Sequence, residues 1–85
     1  MVGPKTMRLL KAMRGQLGET SASRTVDAVA AADGLGMDTT TRDFDRRLHD
    51  LVRAGYLEPD PNFVAPITRG MYRITFLGID AADDH

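Results

Sequence analysis

The side chains best equipped for chemistry in this chain are arginines, and they gather in TTTRDFDRRLHDLVRAGYL, residues 39–57, beside one histidine and three aspartates. At roughly 100° per residue, Phe44, Leu48, Leu51 and Val52 fall on one side of a helix over this stretch. Arg42, Arg46, His49 and Arg53 fall on the other side, with Asp50 beside them. Asp43, Asp45 and Arg47 lie toward the flanks. A guanidinium is a permanent cation carrying a planar fork of donors, which suits phosphate oxygens or the O6 and N7 edge of guanine. The plain alternative is a solvated helix face with i,i+4 neighbours such as Asp43 and Arg47.

Other chemistry finds little support. The chain has no cysteine, and its two histidines, His49 and His85, have no second ligand at metal spacing, so no metal or cofactor is expected. No serine sits in a nucleophile elbow, and no glycine run ends in the lysine of a phosphate loop. The carboxylates of Asp43 and Asp45 point to opposite flanks, so they do not form an acid–base pair. The chain is therefore read as a binding protein and not an enzyme, with no catalytic residue. No small-molecule effector is evident.

At 85 residues it has room for one small core. The absence of cysteine fits a reducing interior, and the N-terminal MVGPKTMRLLKAMRG has neither the long apolar run of a membrane span nor a signal peptide pattern. A soluble, cytoplasmic protein without membrane contact is expected. The formal net charge of −1 conceals an asymmetry. Before Glu19 the only charged side chains are Lys5, Arg8, Lys11 and Arg14, whereas the last six residues hold Asp80, Asp83 and Asp84. Residues 1–79 carry 11 Lys and Arg against nine Asp and Glu, a mild excess of +2. The expected organisation is one domain over 1–79 and a short acidic tail over 80–85, which either frays or shields the basic first helix.

The elements that must position the arginines follow from periodicity. Leu10, Met13 and Leu17 recur at helical spacing within an amphipathic helix over about Lys5–Leu17. GETSAS reads as a loop, after which Thr25 precedes a short alanine-rich helix, VDAVAAAD, ending at Gly34. GLGMD forms a turn, and Thr39, Thr40 or Thr41 caps the third helix, which runs to Ala54 with Gly55 as its C-terminal stop. Tyr56-Leu57-Glu58 reads as a short strand. MYRITFL alternates Tyr72, Ile74 and Phe76 against Met71, Arg73 and Thr75, the period of a half-buried strand. NFVAPITRG reads as the hairpin loop between them. The fold class expected is α+β, a winged helix-turn-helix of three helices followed by a β-hairpin wing.

RTVDAVAAADGLGMDTTTRDFDRRLHDLVRAGYLE resembles the core of bacterial winged-helix regulators of the broad DeoR-, MarR- and PadR-like kind. GMYRITFLG is similar to the closing wing strand of many of them, so the likeness spans about Thr25 to Gly78. The resemblance implies sequence-specific binding of double-stranded DNA by a small transcription regulator whose third helix, about residues 40–54, enters the major groove. Thr40 and Thr41 would meet phosphate at its N-terminus, Arg42 and Arg46 would read guanine, and His49 and Arg53 would touch backbone. Ser23 and Arg24, at the start of helix two, match where the preceding helix crosses phosphates. Arg69 and Arg73 are the wing candidates. Palindromic half-sites imply a homodimer, and Phe63, Val64 and Ile67 in the wing loop, or helix one, are its expected contacts. The alternative is a winged helix that binds protein and not DNA.

Overall fold

A computed structural model describes residues 2–18, 24–59 and 71–84. Its elements run α1 (Pro4–Gly15), β1 (Thr25–Asp27), α2 (Ala28–Gly34), α3 (Arg42–Arg53), β2 (Leu57–Pro59), β3 (Met71–Ile74) and α4 (Phe76–Asp84). The fold is α+β. Its three strands form one antiparallel sheet in the order β1-β3-β2. No helix among the described residues is long and apolar enough to cross a membrane.

The helical periodicities bury the expected stripes. α1 sends Leu9, Leu10 and Met13 inward, and α3 adds Phe44, Leu48 and Leu51. Small alanines at 28, 31 and 32 let α2 lie close to α1. Val26, Leu57 and Ile74, one from each strand, close the core from the sheet side. α1 begins with Pro4, whose missing N–H costs nothing at that position.

Two expected boundaries are corrected. Thr25, Val26 and Asp27 are strand and not helix: they pair with Arg73, Tyr72 and Met71 of β3. The cap of α2 is Asp27, whose carboxylate accepts the N–H groups of Val29 at 3.0 Å and Ala30 at 3.1 Å. Gln16 at the end of α1 holds this junction by donating to the Asp27 carbonyl at 2.8 Å and accepting its N–H at 2.7 Å. Asp27→Ala should lower stability in urea by about 1 kcal/mol while Asp27→Asn keeps most of it. An alanine variant as stable as the parent would contradict this capping role.

The second correction lies at the other end. The alternating pattern of MYRITFL stops as a strand at Ile74, and residues 76–84 form a fourth helix in place of a wing end and a loose acidic tail. Thr75 switches the chain. Its hydroxyl donates to the Gly55 carbonyl at 2.6 Å and accepts the Gly78 N–H at 2.9 Å, and its carbonyl accepts the Ile79 N–H, the first helical bond. Gly78 allows the close approach that follows. A Cβ there would collide with the Tyr56 carbonyl oxygen and stand 2.9 Å from Ile74 Cγ1. Asp80, Asp83 and Asp84 thus sit on α4, which packs along α1 and joins it through Arg14 and Asp83 at 3.4 Å.

Candidate nucleic-acid interface

α3 is a 12-residue helix, about 18 Å long at the usual rise. Of the three threonines before it, Thr41 is the cap, accepting the Phe44 N–H at 3.4 Å. Asp43 and Asp45 occupy the first turn and Arg53 the last, each favourable to the helix dipole. Gly55, just beyond the end, has φ +83°, the left-handed conformation that glycine adopts without a Cβ penalty. With Phe44, Leu48 and Leu51 fixed in the core, the helix can turn only one face outward. That face holds Arg42, Arg46, His49 and Arg53, all exposed. Among the described residues Arg42, Arg46 and Arg53 have no ion-pair partner.

Arg47 is set apart from this stripe. Its Nε donates to Asp43 Oδ2 at 3.0 Å and its Nη1 to the Thr6 hydroxyl, also at 3.0 Å, where Thr6 is the one buried polar side chain on α1. The pairing with Asp43 follows from i,i+4 spacing, but the bond to Thr6 spans 41 residues and leaves no local signal. By bridging α3 to α1 it fixes the rotation of α3 about its own axis, and so the direction in which the outward arginines point.

Thr40 and Thr41 have their hydroxyl protons engaged inside the turn. Thr40 Oγ1 donates to Asp38 Oδ1 at 2.6 Å, and Thr41 Oγ1 donates to the Asp38 carbonyl at 3.2 Å. A phosphate arriving at this end of α3 would find no free hydroxyl proton on either threonine and would face the Asp38 carboxylate. The Thr40 hydroxyl, and after it the Thr40 N–H, holds that carboxyl below its ordinary pKa. A carboxyl whose folded pKa is depressed contributes stability that is fully present above its unfolded pKa and is lost as pH falls through the folded one. Thr40→Val should therefore raise the Asp38 midpoint in an NMR titration toward its ordinary value and shrink the part of the stability that Asp38 loses on acidification. An unchanged midpoint would show that Thr40 does not tune Asp38.

The remaining candidates are placed elsewhere. Arg24 precedes β1 and does not stand at the start of α2. Its guanidinium lies 4.3 Å from the Phe76 ring centroid and donates to the Ile74 carbonyl at 3.3 Å. Arg73 is half-buried and pairs with Glu58 at 2.6 Å, its register partner across β2 and β3. Ser23 and Arg69 lie outside the described residues, as do Phe63, Val64 and Ile67 of the expected wing loop. The structure thus collects Arg42, Arg46, His49 and Arg53 on one helix face and engages Arg24 and Arg73 in contacts within the chain. Compared with models of protein families, with curated proteins and with solved structures, the chain matches none.

Proposed function

We propose that the chain is a winged helix-turn-helix protein that binds double-stranded DNA by laying α3 in the major groove, and that it serves as a small transcription regulator. The observation carrying this reading is the stripe Arg42, Arg46, His49 and Arg53. Three permanent cations without ion-pair partners among the described residues share one exposed helix face, opposite an anchoring apolar face. Supporting it is the order α1-β1-α2-α3-β2-β3, with the strand before α2 pairing onto β3, which leaves α2, a turn through Gly36 at φ +74° and α3 as consecutive elements. The rival reading, a protein-binding winged helix, calls for apolar contact on α3, yet its exposed residues are all charged or histidine. In this proposal Arg42 and Arg46 face base edges, whereas Arg53 holds phosphate near the C-terminal end.

The near-neutral total charge sets the test. Affinity for a generic duplex should be low and should fall linearly on a logarithmic scale as salt rises, because each phosphate neutralised releases counterions. Arg53→Ala should reduce that slope by about one while leaving circular dichroism unchanged. Absence of duplex binding at low salt would overturn the proposal.

A further inference from the structure

The N-terminal end of α3 offers a duplex no free hydroxyl proton on Thr40 or Thr41, so a phosphate running beside it must be met from another element. α1 lies against that end. Lys5 and Arg8, at i,i+3 and so on one face of α1, line a depression of about 430 Å³ together with Asp38, Thr41, Asp43 and Arg47. Both cations are exposed, and among the described residues neither has an ion-pair partner.

Their placement is fixed by the contact that fixes α3. Thr6, between them in the chain, is buried and accepts from Arg47 Nη1 at 3.0 Å, so the bond that sets the rotation of α3 also sets that of α1. Leu9 and Leu10, buried one turn on, hold the other side of α1 in the core. Arg47 neutralises Asp43 at 3.0 Å, which leaves Lys5 and Arg8 opposed within the depression by the Asp38 carboxylate alone. The local balance is positive, although the whole chain is near neutral. A phosphodiester is drawn to such a place by charge and needs no base-specific geometry there.

We propose that Lys5 and Arg8 each neutralise a backbone phosphate of the strand that passes the N-terminal end of α3, and so set the register in which Arg42 and Arg46 meet base edges. This inference rests on the duplex binding proposed above and adds to it a second element, α1, that carries phosphate contact in place of Thr40 and Thr41. Contacts of this kind raise affinity for every sequence alike and position the recognition helix without reading bases. Lysine and arginine can replace one another in this role as positive charges, in contrast with the role proposed for Arg46, where a forked donor must match guanine.

Titrations of the full chain against a selected operator and a scrambled duplex, between about 50 and 200 mM salt, test the contact. Lys5→Gln with Arg8→Gln should leave circular dichroism unchanged, since both positions are exposed and glutamine is a good helix former. The slope of log affinity against log salt should become shallower by about two on both duplexes, so that the parent loses about tenfold more affinity than the variant across this range. Lys5→Arg with Arg8→Lys, which keeps both charges, should restore the parent slope. Neutral methylphosphonates placed singly beside the operator motif localise the effect: at the phosphates that Lys5 and Arg8 touch they should weaken the parent severalfold and leave the glutamine variant unaffected. An unchanged slope in the glutamine variant, or a methylphosphonate effect equal in parent and variant at every position, overturns the contact while duplex binding by α3 stands. A parent that binds no duplex at low salt overturns duplex binding itself and this contact with it.

Discussion

Phe44→Ala is expected to cost about 3–5 kcal/mol of unfolding free energy, the largest single loss for a side chain of α3. Phe44 is 2% exposed and is the first apolar residue of the stripe that also contains Leu48 and Leu51. Truncating its ring removes apolar burial and leaves a cavity that a close-packed core refills only in part. The total stability of an 85-residue chain is roughly 4–13 kcal/mol, so the variant should be partly or wholly unfolded at ambient temperature. Phe44→Leu, which keeps much of the volume, should remain folded with a lower urea midpoint. A loss below about 1 kcal/mol for Phe44→Ala would mean that α3 is not anchored through this ring, and the outward direction of its arginines would lose its physical basis.

Arg46→Ala is expected to behave in the opposite way. Arg46 lies across the helix from Phe44, Leu48 and Leu51, is exposed, and is replaced by the best helix former, so stability should change by no more than about half a kcal/mol. Binding to a selected operator should weaken by about 1–3 kcal/mol and lose discrimination at one base position, as follows when a bidentate contact to guanine is removed. Titrations against the operator and a scrambled duplex separate the two effects. An Arg46→Ala variant that binds the operator as tightly as the parent would contradict base reading by this residue. Under the proposed DNA binding, Phe44 anchors α3 and Arg46 reads the duplex, two positions apart in sequence and on different faces of the helix.

Much of α3 was legible because every local signal agreed: a threonine cap, acids in the first turn, apolar residues at helical spacing and a glycine just past the end. The sorting of arginine to the solvent face followed from that periodicity without any knowledge of the tertiary structure. β1 was not legible. Its three residues are strand because Arg73, Tyr72 and Met71 lie opposite them, a pairing that spans more than forty residues. In isolation they read as the start of the alanine-rich helix, with Thr25 in the capping place that Asp27 occupies.

α4 was hidden by a local ambiguity. Tyr72, Ile74 and Phe76 continue a strand period, and Gly78 in mid-helix weakens any helical reading. What turns the chain is the pair of hydrogen bonds at the Thr75 hydroxyl, one of which reaches the Gly55 carbonyl twenty residues earlier. Once α4 exists, the three aspartates at the end of the chain gain positions on a helix surface. The roles read for Arg24 and Arg73 failed to anticipate Phe76 and Glu58 for a similar reason, since each partner is set by sheet register or by α4. At Thr40 and Thr41 the sequence showed the right residues at a helix start but not that Asp38 would hold their hydroxyl protons.

The central claim, that α3 reads DNA through its arginine stripe, is tested most directly by selecting from a random-sequence duplex library with the parent chain at low and moderate salt. Successive rounds should enrich a short motif containing guanine, and the enriched duplex should bind the parent more tightly than a scrambled one of the same composition. Recovery of an unenriched, random pool at every salt concentration would contradict sequence reading by α3 and turn attention to protein binding.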